Sequence, residues 1–347
     1  MDPDQTAVLA ALAPGEKGHG PSFGYSRALD GIRALAVASV VLFHAGVPGL
    51  AGGFLGVDTF FVLSGFLITS LLLTERQTRG RIDLKRFWTR RARRLMPALL
   101  AVLLATVVVG RFVLDGDALG LLRTDAYAAL GYVANWRMIF RGTGYVAATA
   151  TASPLQHTWS LGIEEQFYLL WPLLITAVTA VLAFRRARAA LVVSCCAGAG
   201  LSQLLCAHFF RPESIGRAYY GTDTRAQALL IGAALAVALT PAGGVRAGRR
   251  PPPAGRAGLA VLGLSGAAGT LWLWHVASDQ ASWLYRGGLT VAALATALRP
   301  RELDHATGAA GHRRSPVRNC RQAGEQRSLT ARLTGRPMPG TPVISTT

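Results

Sequence analysis

Eight stretches of this chain, near residues 31–48, 54–73, 95–114, 161–183, 189–209, 226–240, 257–276 and 284–298, are apolar over close to the length a helix needs to cross a bilayer. About 30 Å of hydrocarbon takes roughly 20 helical residues, and backbone in lipid must satisfy its own hydrogen bonds. The sequence therefore predicts an all-α fold, a polytopic integral membrane bundle of about eight transmembrane helices. The stretch 118–140 is also apolar but carries Arg123, Asp125 and Arg137, so it reads as an interfacial or re-entrant helix rather than a ninth span. With 51% apolar and 16% charged residues in a 347-residue chain, the composition argues against two soluble domains.

Thirty-six Lys and Arg against eighteen Asp and Glu give a formal charge of +18. In a soluble protein that excess points to nucleic acid, but here the basic residues lie between apolar runs, where they set topology instead. The loops at 75–94, 184–188 and 241–256 carry the clusters, among them Arg76, Arg79, Arg81, Arg185, Arg186, Arg246 and Arg250. All three fall on one side if the eight spans are counted in order. This places the N-terminus in the cytoplasm and the connections 115–160, 210–225 and 277–283 outside. Residues 1–25 show no removable signal peptide and read as a flexible cytoplasmic N-terminus, 26–298 as the membrane domain. From residue 299 onward nine arginines face three carboxylates with no apolar run, which predicts a disordered cytoplasmic tail. The four cysteines lack the spacing of a disulfide framework or a zinc site, so no metal is expected.

Ionisable residues inside spans are costly and commonly face a protein interior or a water-filled cavity. Arg33 and His44 are eleven residues apart in the first span. At 100° per residue they share one helix face about 16 Å apart, Arg33 near the inner boundary and His44 well into the membrane. A lone histidine there is often a helix-to-helix hydrogen-bond partner; paired with Arg33 on the same face it also suits a general base. At the inner entrance of the third span, Arg86, Arg90, Arg93 and Arg94 recur at helical spacing, and Arg91 lies among them. That stripe fits topology and anionic lipid, or a polyphosphate ligand. Pro97 fits the first turn of the span that follows.

Three further clusters sit at outer helix entrances. Asp58 in the run GGFLGVDTFFVLSGFLIT (52–69) needs a partner or water, or is a carboxylate favoured at a helix start. In HTWSLGIEEQFYLLWP (157–172), Ser160 is placed to cap a helix, and Glu164, Glu165, Gln166 and Tyr168 with His157 just outside predict a polar cavity. In TDTRAQALL (222–230), Asp223 and Arg225 cap the span and satisfy each other.

Together with FWTRRARRLMP (87–97), these motifs resemble the bacterial membrane-bound acyltransferase-3 family of the O-acetyltransferase type, in family order from about residue 26 to 240 and more loosely to 298. The resemblance implies an integral, multi-pass enzyme of the plasma (inner) membrane that moves an acyl group, commonly acetyl, from cytoplasmic acyl-CoA to a hydroxyl of a sugar, polysaccharide or small molecule. Acyl-CoA is then a co-substrate, and no permanently bound cofactor is implied. The family's Arg and His motif falls on Arg33 and His44, its cytoplasmic Arg motif on Arg90, Arg91, Arg93 and Arg94, and its acidic signature on Glu164 and Glu165. Asp58, His157, Asp223 and Arg225 would line the remaining polar cavity. The family core has ten spans ending in an aromatic and histidine signature, whereas this chain turns into its Arg-rich tail after Leu298, which predicts an altered or truncated C-terminus. Two rival readings are a proton-coupled transporter and an inactive acyltransferase scaffold.

Overall fold

The computed structural model describes residues 27–141, 153–240 and 253–298. The expected N-terminal stretch, most of the basic loop 241–256 and the Arg-rich tail lie outside the described residues. The described residues are helical, with no strand among them: α1 (Arg27–His44), a 3-10 turn (Gly53–Leu55), α2 (Gly56–Arg79), α3 (Leu84–Val113), α4 (Gly116–Leu130), α5 (Ala134–Phe140), α6 (Thr158–Val181), α7 (Phe184–Phe209), α8 (Gly216–Tyr220), α9 (Thr222–Leu239), α10 (Pro253–Val276), a π-turn (Leu284–Gly288) and α11 (Leu289–Ala297).

Three helical segments are long and apolar enough to cross a membrane by themselves: Gly53–Arg79, Leu84–Val113 and Phe184–Phe209. They differ in what surrounds them. The apolar window of the first is 72% buried inside the protein, that of the second 17% and that of the third 28%. So α2 is the hub of the bundle, while α3 offers Leu104, Val109, Phe112 and Val113 outward as a lipid-facing surface. α9 packs along α2 on one side and against α7 on the other.

Small residues make the α2–α9 crossing close. A Cβ on Gly65 would run into the carbonyl of Leu229, and one on Gly232 into the carbonyl of Val62. Each helix thus lays a glycine against the other's backbone, the way membrane helices gain contact when lipid gives them no hydrophobic drive to associate.

Several expected boundaries move. α1 stops at His44 instead of continuing to residue 48, because Gly46 (φ 68°) and Gly49 (φ 84°) turn the chain through left-handed backbone that ends a helix. α3 is one 30-residue helix joining the Arg-rich entrance to the apolar half, so Pro97 lies in its interior, where it removes one i→i−4 hydrogen bond. Asp83 starts it by accepting from the Arg86 amide at 2.9 Å. The stretch 118–140, expected as one interfacial or re-entrant helix, divides into α4 and α5 around Tyr132 (φ 56°), and Asp125 holds both Arg137 (3.1 Å) and Arg141 (2.7 Å). The run 284–298 is broken by Gly287 (φ 149°) into a π-turn and the nine-residue α11, about 14 Å of helix.

The close crossing gives a direct test. Gly65→Ala is expected to lower the thermal unfolding midpoint of purified protein, at a cost of about 1–3 kcal/mol. Gly200→Ala on α7, where an added methyl meets nothing, is expected to leave the midpoint unchanged or slightly raised.

Candidate active site

Three strips of backbone bring the polar residues together. Ser39 on α1 donates to the Gly53 carbonyl at 3.1 Å, which fixes α1 on the 3-10 turn that leads into α2. The turn after His44 is clamped by the end of α10: the Gly52 amide donates to the Trp274 carbonyl (2.8 Å), and His275 Nδ1 lies 3.0 Å from the Gly49 carbonyl. α6 also rests on α2. Between the end of α1 and the start of α6 lies a cavity of about 750 Å³. Its polar lining includes His44, His157, Ser160, Glu164, Gln156 and Asp279, on a wall of valine and aromatic side chains such as Val40, Phe60 and Trp159.

His44 is the last residue of α1, where the glycine turn ends the helix, and it is exposed at this cavity. Its Nδ1 lies 2.8 Å from the Val40 carbonyl. A carbonyl only accepts, so Nδ1 carries the proton in that bond, and in the neutral ring the lone pair is on Nε2. His157 occupies the position just before α6, exposed on the same cavity. Ser160 does not cap the helix: it is the third residue of α6 and donates back to the His157 carbonyl at 3.4 Å.

Glu164 and Glu165 are neighbours on α6 that a helix turns about 100° apart, and they serve different partners. Glu164 lines the cavity and accepts from Ser64 of α2 at 2.7 Å. Glu165 turns to α3 and takes Arg91 in a two-point pair, Nη2 at 2.6 Å and Nε at 2.8 Å. The same guanidinium sits 3.4 Å over the Tyr168 ring, and Trp88 donates to the Tyr168 carbonyl at 3.0 Å. Arg91 is therefore turned inward, while Arg90, Arg93 and Arg94 are exposed. Arg33 is partly exposed, makes a loose 3.9 Å contact with Asp30, and lies with Arg91 within Coulombic reach of Glu164.

Asp223 and Arg225 do not pair with each other, contrary to the sequence expectation. Two residues apart on α9, they point to different sides. Asp223 takes Arg217 of α8 at 2.9 and 2.6 Å, whereas Arg225 reaches Asp58 of α2 at 2.9 Å with both side chains almost fully enclosed (0% and 2% exposed). The partner that Asp58 requires is thus 167 residues away. Phe61, Trp159 and Tyr219 surround the Arg225 guanidinium at 5.0–6.0 Å, so the ion pair stands directly behind the Phe61 and Trp159 wall of the cavity. Neither Asp58, Asp223 nor Arg225 lines the cavity.

Asp279, in the loop after α10, joins the cavity from a segment the motif reading did not mark. Its turn supplies hydrogen bonds from the Ser278 side chain and from backbone amides, and burial raises its carboxyl above the usual range.

Residues 26–298 match the family described as an acyltransferase domain, acyltransferase-3. The chain belongs to that family. Among proteins similar to this acyltransferase-3 chain are the O-acetyltransferase OatA of Staphylococcus aureus, 39% identical over 272 residues, and the peptidoglycan O-acetyltransferase OatA of Listeria monocytogenes, 39% identical over 275. A putative O-acetyltransferase of S. aureus is 37% identical over 273 residues. Each alignment covers 78% of this chain but only 42–44% of the relative, so the chain spans less than half the length of these proteins. No solved structure matches it.

The Asp58–Arg225 pair predicts a pattern in stability. Arg225→Leu or Asp58→Leu alone is expected to cost about 3–5 kcal/mol by stranding a buried charge, and the double replacement to recover most of it. Thermal unfolding of the three variants in one detergent checks this.

Proposed function

We propose that this acyltransferase-3 chain moves an acyl group, acetyl first among candidates, from acyl-CoA on the cytoplasmic side to an acceptor hydroxyl admitted from the outer side. The observation that carries the reading is the arrangement along α1, α3 and α6. The N-terminal halves of α1 and α3 carry Arg33 and the exposed Arg90, Arg93 and Arg94, while the end of α1 and the start of α6 bring His44, His157 and Glu164 to the cavity. Between α2, α3 and α6 run the polar contacts Ser64–Glu164 and Arg91–Glu165, with Arg91 over the Tyr168 ring. In this reading the chain lies in the plasma membrane with about eight crossings, N-terminus inside.

In this reading, the guanidinium groups of Arg90, Arg93 and Arg94 hold the phosphates of the coenzyme, as planar multi-donor cations do. Arg91 is held by Glu165 and positions Tyr168 and α6 rather than binding phosphate. The pantetheine arm brings the thioester past Arg33 toward Glu164 and His44. His44 Nε2 takes the proton from the acceptor hydroxyl as the oxygen attacks the thioester carbonyl; a new C–O bond forms, the C–S bond breaks, and the coenzyme leaves as a thiolate that regains a proton. The imidazole is also placed to accept the acyl group first and pass it on, with the same net exchange. A polysaccharide acceptor is supported by the name of one relative, peptidoglycan O-acetyltransferase.

Two measurements on the purified chain in nanodiscs test this. Acetyl-CoA is expected to raise the thermal unfolding midpoint, with the shift lost in an Arg90→Ala/Arg94→Ala double variant. His44→Ala is expected to keep that shift while coenzyme release in the presence of acceptor falls about 100-fold or more. A His44→Ala protein transferring at the unaltered rate contradicts the base assignment, and no response to acetyl-CoA contradicts the donor.

A further inference from the structure

The chain as a whole is strongly cationic, at +18, yet no lysine or arginine is among the described residues that line the cavity. Its charged walls are two carboxylates, Glu164 and Asp279, and its remaining polar groups are two imidazoles, amide and hydroxyl. Residues 142–152, the stretch leading to the rim residue Ser153, contain no Asp, Glu, Lys, Arg or His in the sequence.

The two carboxylates are held differently. Glu164 accepts from the Ser64 hydroxyl of α2 at 2.7 Å and forms no ion pair among the described residues. Asp279 forms no ion pair among the described residues; hydrogen bonds from its own turn are what it has. It is carried by the loop that follows α10, and α10 is clamped to the turn after His44 by Trp274 and His275. Asp279 is thus tied to the same frame as the His44 imidazole.

An anion entering such a site loses water on the apolar wall and meets a carboxylate with no guanidinium to offset it. Repulsion between like charges a few ångströms apart at intermediate dielectric is worth a tenfold factor or more. A neutral polyol meets hydrogen-bond partners and an aromatic wall, and an ammonium meets a carboxylate.

We propose that this cavity is selective by charge: it takes an acceptor whose hydroxyl-bearing part is uncharged or amine-bearing, with an apolar flank, and rejects acceptors carrying a carboxylate or phosphate, with Asp279 as a specificity-determining residue. The proposal rests on the reading of the cavity as the acceptor side of the transferase and names its substrate class. It also assigns a division of labour, with polyanionic donor on the arginine side and no anion on the other.

Phenyl β-D-glucoside and phenyl β-D-glucuronide share an aromatic flank and differ by one carboxylate, which makes them the probes. With the full chain in phosphatidylcholine nanodiscs, binding of each is followed through tryptophan fluorescence, and acetyl-CoA-dependent O-acetylation by mass spectrometry. Expected is a preference for the glucoside on the order of tenfold or more in both binding and transfer. Asp279→Asn should narrow the gap and Asp279→Lys narrow it further or reverse it, by improving the glucuronide. Equal binding of the two probes, or a ratio that neither variant moves, overturns the proposal. Selective binding that responds to Asp279 while no acetyl group is transferred to either probe supports it and overturns the transferase reading instead, so the two failures are told apart.

Discussion

The close crossing of α2 and α9 is the constraint on which the remaining structure depends. Two glycines let the backbones touch, Gly65 against Leu229 and Gly232 against Val62, and the same pair of helices carries the Asp58–Arg225 ion pair at 2.9 Å. Lipid offers no hydrophobic drive for helices to meet, so close backbone contact and the buried ion pair must supply it. Because the pair is enclosed on both sides, removing either member strands a charge where water cannot reach. α1 and α6 both lean on α2, so the cavity between them takes its shape from a helix that α9 holds in place.

Electrostatics then divides the molecule along α6. Glu165 is committed to Arg91 and Glu164 to Ser64 and the cavity, so a single residue step, about 100° around the helix, separates a carboxylate paired across helices from one that lines the cavity. Arg91, stacked on Tyr168, carries that division to α3, whose neighbouring arginines remain exposed at the surface. In the proposed reaction this arrangement keeps the polyanionic coenzyme and the acceptor in regions of opposite charge while the two reacting ends approach His44. The acyltransferase-3 family model covers the segment that forms both regions.

What the sequence made legible follows from distance along the chain. Apolar run lengths and Arg-rich loops are local signals, and they locate α2, α3 and α7 as helices able to span. The expense of ionisable groups in apolar surroundings is also local, and it marked His44, His157 and Glu164, which the structure brings to one cavity. Pairing is not local. Asp223 and Arg225 look complementary in sequence, yet a two-residue separation on a helix turns them apart, and each finds a partner on another element. Arg91 looked like one of a stripe; only Glu165, 74 residues on, shows that it turns inward. The end of α1 was hidden because Val47 and Leu50 extend the apolar run beyond the glycine that breaks the helix. Asp279 sits in a seven-residue connection with no motif and enters the cavity only because the end of α10 is tied to the turn at Gly49–Gly52.

The central claim is that donor and acceptor meet from opposite faces, with the arginines inside and the cavity outside. Single cysteines at Ser160 and at Arg90, introduced one at a time into a chain whose four native cysteines are replaced, report this directly when intact cells are exposed to a membrane-impermeant maleimide. The account predicts labelling of Ser160→Cys from outside, and labelling of Arg90→Cys only after the membrane is opened, with acetyl-CoA slowing the second reaction. Labelling of Arg90→Cys in intact cells, or of both positions from the same side, would contradict it.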